Sequence, residues 1–220
     1  MQTPLTLETL ADAARAYVRR LESAGIPALY GVTDGKAVGT FVEAGFNVFI
    51  AETYEHIPGN AAKGIDFPAL NVDLKVTSIK QPQSSSPFRD ATQKVYGLGY
   101  HLLVMVYDKH DDHDAQQARL EFKHVIFINE ANTADFQMTS GIHRILKNDG
   151  GVDDIDAHLE DKNLPLDADS RRQLAERIVA EPPLLGGLTI SNALQWRLQY
   201  GRAIKAAAAG DIEGIRDLIA

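Results

Sequence analysis

Within the stretch "GIDFPALNVDLKVTS", residues 64–78, stand two carboxylates and an amine, Asp66, Asp73 and Lys75. Apolar and charged residues alternate from Val72 to Val76, the two-residue period of a half-buried strand. Pro68 to Asn71 has the chemistry of a four-residue turn. The pattern predicts a strand, a turn and a second strand, with Phe67 opposite Val72 and Asp66 opposite Asp73, Cβ atoms about 4.5–5.5 Å apart. Lys75 then shares a face with Asp73, while Val72, Leu74 and Val76 point to the other.

Opposed carboxylates repel, and in a partly buried site one of them takes up a proton unless a cation sits between them. A hard divalent cation removes the conflict: Mg²⁺ accepts one or two carboxylates and fills its remaining positions with water and phosphate oxygens. An adjacent lysine can hold a phosphate or help deprotonate an attacking water. These are the parts needed to hydrolyse a phosphodiester. The bland alternative is a solvated hairpin, the common fate of an isolated D-x-K; the greasy opposite face and the preceding Asp-Phe-Pro weigh against it.

The chain has 220 residues, which favours one domain, 1–220, large enough for a sizeable core. It is 45% hydrophobic and 24% charged without a long apolar run, so it groups with soluble globular chains and no segment is expected in a membrane. The opening "MQTPLTLETLADAARAYVRR" reads as an amphipathic helix and not a signal peptide, and a cytoplasmic protein is expected. Absence of cysteine excludes disulfides, thiolate metal sites and a cysteine nucleophile. The net charge of -8 weighs against a non-specific nucleic-acid coat but leaves a DNA enzyme with a local basic cleft open.

The elements that must position the three residues are legible in outline. Helical periodicity runs from Leu5 to Ala24 and ends at Gly25-Ile26-Pro27. A second helix is expected over "GKAVGTFVE", carrying Lys36 and Glu43, with Val48-Phe49-Ile50 either its end or a short strand. Residues 81–88, "QPQSSSPF", read as a polar loop, followed by a short helix closed by Gly97. "HLLVMVYD" and "LEFKHVIFINE" read as buried strands. Beyond Thr139 the pattern is helical: one helix near "SRRQLAERIVA" capped by Asp167 or Ser170 and ended by Pro182-Pro183, and a longer one in "LTISNALQWRLQYGRAIKAAAA" with Ser191 as N-cap. The expectation is an α/β (α+β) fold, a mixed β-sheet flanked by helices, with a catalytic core at about 30–130 and a helical C-terminal elaboration at about 139–220.

Asp66 followed by Asp73-Leu74-Lys75 resembles the D...(D/E)-x-K signature of the PD-(D/E)xK nuclease superfamily. In the form "D-F-P-x-L-x-V-D-L-K-x-T" it is especially similar to the MutH mismatch-repair nickase and the GATC-cutting restriction enzymes related to it. Upstream, "GKAVGTFVE" (Gly35 to Glu43) resembles that group's Lys-Gly...Gly...Leu-Glu helix, with Glu43 at the glutamate that joins the active site. The likeness covers roughly residues 30–80, with Asp73 in place of the commoner glutamate and Ala37 where a glycine is frequent. It implies a restriction-endonuclease-like core in which Asp66, Asp73 and the Leu74 carbonyl bind Mg²⁺, with Mn²⁺ as a substitute. It also implies that Lys75 orients or activates water, and that Glu43 is a second-metal ligand or a partner of Lys75.

Double-stranded DNA is then the expected partner. The candidate contacts are Lys36, the loop residues Gln81, Gln83, Ser84, Ser85 and Arg89, and the set Gln195, Arg197, Gln199, Arg202 and Lys205 on the helix expected over 191–206. Other suggestive stretches carry less. "DKHDDHD", residues 108–114, is a solvated hairpin tip before it is a metal site. "GVTDGKA" has the wrong spacing for a phosphate loop and "GLGYHL" lacks a third glycine, so no nucleotide cofactor is expected. The resulting expectation is a Mg-dependent site-specific DNA endonuclease of the type II restriction class. Its rivals are a MutH-like repair nickase, a catalytically silent DNA-binding module of the same fold, and an unrelated α/β domain. A double-strand cutter is expected as a homodimer and a nickase as a monomer, and the sequence leaves both open.

Overall fold

A computed structural model of the chain describes residues 3–55, 64–86, 89–191 and 196–220. In chain order the elements are β1 (Thr3–Pro4), α1 (Leu7–Glu22), α2 (Gly35–Thr53), β2 (Tyr54–Glu55), β3 (Val72–Ser78), β4 (Gln83–Ser86), α3 (Gln93–Tyr96), β5 (His101–Asp112) and β6 (Gln117–Ile128). There follow α4 (Phe136–Lys147), α5 (Val152–Asp161), α6 (Ala168–Ala180), β7 (Thr189–Ile190), β8 (Trp196–Gln199), α7 (Gly201–Ala209) and β9 (Ile215–Asp217). This is a mixed α+β fold with mixed sheet flanked by helices. The chain divides into two compact units. One comprises the residues up to Pro82 with Leu102–Phe127 and Arg216–Ala220; the other comprises Gln83–His101 and Ile128–Ile215.

The first unit is built on the sheet β3-β5-β6-β9. Residues 113–116 join β5 to β6, too short a link for anything but an antiparallel hairpin. Helix α1 starts at Thr6, whose hydroxyl accepts from Thr9 N at 3.2 Å while Thr9 Oγ1 accepts from Thr6 N at 2.8 Å, a reciprocal cap. Leu10, Ala13, Ala14, Tyr17 and Val18 are its buried stripe. In α2 the Asp34 carboxylate accepts from Lys36 N at 2.9 Å, and Val38, Val42, Phe46 and Ile50 recur every four residues on the buried face. These residues share one apolar cluster with Val72 and Leu74 of β3, which fixes which side of β3 faces α2.

Helices α1 and α2 meet closely because residue 45 is glycine. The Tyr17 hydroxyl donates to the Val42 carbonyl at 3.0 Å, and a Cβ on residue 45 would lie 2.2 Å from that hydroxyl. Burial pushes the Tyr17 phenol up to about 12, so it stays a neutral donor.

In the second unit β4, β8 and β7 form an antiparallel sheet, in the order β4-β8-β7. Helix α4 begins at Asp135, whose carboxylate accepts from Met138 N at 2.8 Å and from Ile190 N at 2.7 Å, binding helix and sheet together. The buried Lys94 ammonium lies in the field of Asp135; desolvation still holds its pKa below the ordinary lysine value. Asp167 caps α6 as the sequence predicts, accepting from Ser170 N at 2.9 Å.

Of the two readings of Val48-Phe49-Ile50 the helical one holds: the stretch lies in the last part of α2, where Phe46 and Ile50 continue the buried stripe. Three expectations are corrected. Residues 83–86 are strand and not loop, and residues 87–88 lie outside the described residues. The long helix expected from Ser191 is the strand β8 followed by α7, with 192–195 outside the described residues. The strand expected before the turn is reduced to a bridge at Phe67; the Leu74 N–H, which the next rung would use, donates to the Asp66 carboxylate instead.

Gly45→Ala is expected to lower the thermal midpoint by an amount equivalent to about 1–3 kcal/mol, the usual cost of overpacking. Adding Tyr17→Phe should recover part of that loss in thermal denaturation, since it removes the hydroxyl that the new methyl group strikes.

Candidate active site

The turn before β3 is formed as the sequence predicts. Phe67 and Val72 exchange both backbone hydrogen bonds, at 2.9 and 3.2 Å, and Leu70 N donates to the Phe67 carbonyl at 3.1 Å. Asn71 closes the turn with φ of 54°, a left-handed conformation that its short amide side chain tolerates. This brings Asp66 back beside Asp73. The two carboxyls hydrogen-bond each other, and Asp66 Oδ2 also accepts from Leu74 N at 2.8 Å. The sequence reading attends to the Leu74 carbonyl; the contact observed is through its N–H, which orients Asp66.

Asp73 is buried, with 3% of its surface exposed. Lys75 Nζ lies 2.7 Å from Asp73 Oδ2 and reaches partly into solvent. Burial raises the Asp73 pKa, the Lys75 ammonium opposes the rise, and the Asp66 carboxyl adds to it, for a net value of about 7. An ion pair at this distance ordinarily holds a carboxyl below its usual range; here desolvation and a like charge outweigh it.

Glu43 projects from α2, next to the buried Val42, toward the same group. Its carboxyl is half-buried and its pKa is raised, first by burial; Lys75 and the Val76 N–H it accepts from work against the rise and Asp66 adds to it. Asp66, Asp73, Lys75 and Glu43 therefore share one electrostatic neighbourhood. Among the described residues no three His, Asp or Glu side chains converge as a ready metal cage. The donor set that is present, two touching carboxyls of which one has a raised pKa, suits a hard cation that draws its other ligands from water and phosphate.

The remaining candidates are dispersed. Lys36 is exposed in the first turn of α2. Gln81 is exposed after β3, its carbonyl accepting from the Thr77 hydroxyl at 3.3 Å. Gln83, Ser84 and Ser85 belong to β4, Arg89 is exposed, and Arg197 is exposed on β8. Gln195 lies outside the described residues. Arg202 is tied into its own unit, 2.9 Å from Asp211 and stacked 4.2 Å from the Phe136 ring centroid. The stretch 108–114 falls in the β5–β6 hairpin, where Lys109 Nζ meets Asp111 at 2.5 Å and His113 Nδ1 meets the Tyr30 hydroxyl at 2.8 Å, and it gathers no metal cage. No helix among the described residues is long and apolar enough to cross a membrane.

A buried acid on β3 thus meets a second, partly buried acid and a lysine, on a strand backed by a helix. The family model described as Type II restriction enzyme NspV matches residues 4–217, nearly the whole chain. The Type II restriction enzyme NspV of Nostoc sp. is 52% identical over 209 residues, covering 95% of both proteins. The chain belongs to the NspV family of type II restriction enzymes. No solved structure matches it.

The raised pKa of Asp73 has a consequence for stability. Its folded value of about 7 lies above the ordinary 3.8, so the ionised form is penalised in the folded state. The penalty is absent below pH 3.8, grows as pH rises toward 7 and is complete above it. In metal-free protein the thermal midpoint of Asp73→Asn should match the parent's at pH 4 and exceed it by several degrees at pH 8; equal midpoints at both pH values contradict the assignment.

Proposed function

We propose that the chain is a Mg²⁺-dependent, site-specific DNA endonuclease with a PD-(D/E)xK centre of the MutH-like kind, working in the cytoplasm as a restriction enzyme. The observation that carries this reading is Asp73, buried beside Asp66 and 2.7 Å from the Lys75 ammonium. A structural ion pair has no use for a second carboxylate against the first, whereas a pair of carboxylates suits a divalent cation. The family relationship supports the choice of DNA as substrate.

Asp66, Asp73 and the Leu74 carbonyl would hold the ion, with Mn²⁺ as a substitute. Bound there, it supplies charge for the phosphate oxygens and lowers the pKa of water. The Leu74 N–H keeps one Asp66 oxygen fixed, so that this carboxyl presents its other oxygen toward Asp73. Lys75, anchored by Asp73 and partly exposed, is placed to orient the attacking water and to neutralise charge that develops on the phosphate. Glu43, held by the Val76 N–H and lying in the field of Lys75, would be a partner that helps to position that ammonium. The bonds exchanged are a new phosphorus–oxygen bond from water and a broken phosphorus–oxygen bond to the leaving sugar oxygen.

Double-strand cutting with one such centre per strand calls for a homodimer on a two-fold symmetric target. The whole of 1–220 is taken as one functional endonuclease, with its two compact units dividing the labour.

Incubating unmethylated supercoiled plasmid and phage DNA with the protein in Mg²⁺ and in EDTA tests the reading. Discrete fragments are expected in Mg²⁺ alone, with Asp73→Ala and Lys75→Ala each slower by roughly 10³-fold or more. Nicked circles without linear product would replace the restriction reading by a nickase. Intact DNA on every unmethylated substrate, with DNA binding retained, would leave only a silent binding module.

A further inference from the structure

The two segments expected as separate DNA contacts, a loop and a helix, are paired strands. Ser85 lies opposite Arg197 and Gln83 opposite Gln199, while β7 adds Thr189 on the far side of Gln199. Directly opposed residues share a face, so Gln83, Gln199 and Thr189 form one cross-strand row and Ser85 and Arg197 the next. Ser85, Arg197 and Gln199 are exposed and Gln83 and Thr189 are half-exposed. The alternate residues anchor the other face: Leu198 and Ile190 are buried, Ser84 Oγ lies 2.5 Å from the Tyr200 hydroxyl, and Ser86 Oγ lies 3.5 Å from that of Tyr100.

We propose that the outer face of the β4-β8-β7 sheet, carrying Gln83, Ser85, Arg197, Gln199 and Thr189, reads base edges in the major groove of the DNA target. The proposal rests on the endonuclease reading and names the recognition surface for it. The donor and acceptor types match the groove: a guanidinium pairs with guanine O6 and N7, an amide with adenine N6 and N7, and hydroxyls with either. Major-groove width admits a two-stranded β-ribbon, here β4 and β8, with the two-residue β7 at its margin. The two rows lie about 6.8 Å apart along a strand, close to twice the roughly 3.4 Å rise of a base pair. The described strands β4, β7 and β8 carry no acidic residue, although acids outnumber bases 30 to 22 in the whole chain. A face free of acids meets phosphate and base edges without like-charge repulsion of its own, in a chain whose net charge is -8. A solvated sheet face requires neither the missing acids nor the matched amides.

The test is selection of bound duplexes from a random-sequence pool, with Ca²⁺ in place of Mg²⁺, by the parent and by Gln83→Ala, Arg197→Ala and Gln199→Ala. The side chains are exposed, so thermal midpoints should stay within a few degrees of the parent's. The parent is expected to select one motif. Each variant should relax it at one or two base pairs, with cognate affinity down roughly 5- to 150-fold, the span of one bidentate base contact. Binding to a non-cognate duplex should change far less for the two glutamine variants. An unchanged motif in all three variants, or equal losses on cognate and non-cognate DNA, overturns the proposal, as does a parent that selects no motif. A parent that selects a motif yet cuts no DNA in Mg²⁺ would remove the cleavage reading and leave the recognition face standing.

Discussion

The first unit is organised around a repulsion. Asp66 and Asp73 hydrogen-bond each other where Asp73 has almost no access to water, an arrangement that favours a proton over a charge. The Lys75 ammonium offsets only part of this. What holds it is the rest of the unit: the Phe67–Val72 bridge brings the chain back, the Leu74 N–H turns Asp66, and Val72 and Leu74 bind the strand to Val38, Val42 and Phe46. The apolar half of β3 thus stabilises what its charged half destabilises. Alternation along one short strand puts the two halves on opposite sides.

The second unit shows how the same protein treats a buried charge that has only to be quiet. Asp135 is as buried as Asp73, but Met138 N and Ile190 N donate to it and the Lys94 ammonium lies in its field. Among the described residues Asp73 meets the Lys75 ammonium, and its other close partner is a second acid. One carboxylate is surrounded by donors and knits a helix to a sheet; the other is left with a conflict that a substrate-bound cation can resolve. That difference in surroundings, more than burial itself, separates a satisfied acid from a frustrated one.

Much of the first unit was legible in the sequence because its signals are local. The turn at Pro68 to Asn71 and the alternation of Val72 to Val76 each act within a few residues, as does the cap at Asp167 in the second unit. Glu43 was reached only through the family resemblance, since helical spacing alone does not say which acid on α2 faces the strand. The sheet β4-β8-β7 was missed for a different reason. "QSSS" has little intrinsic strand preference and becomes a strand through its partner. "WRLQY" does alternate apolar and polar residues, but the alanine-rich helix that follows lent it a helical look. Arg202 seemed a free cation because neither Asp211 nor Phe136 is near it in a helix-only reading.

The first unit is assembled from three separated pieces of chain, and its last strand comes late. Asp217 accepts from Val125 N at 3.1 Å and lies 2.7 Å from His124 Nδ1, and Leu218 N donates to the Val125 carbonyl at 2.7 Å. Arg15 Nε reaches the Leu218 carbonyl at 2.7 Å, so α1 too waits for this segment. A ribosome making the chain has exposed Asp66, Asp73 and Lys75 long before it reaches residue 217, and contacts this distant in sequence form slowly. The order of synthesis therefore keeps a half-made chain from having a finished sheet behind its acidic pair.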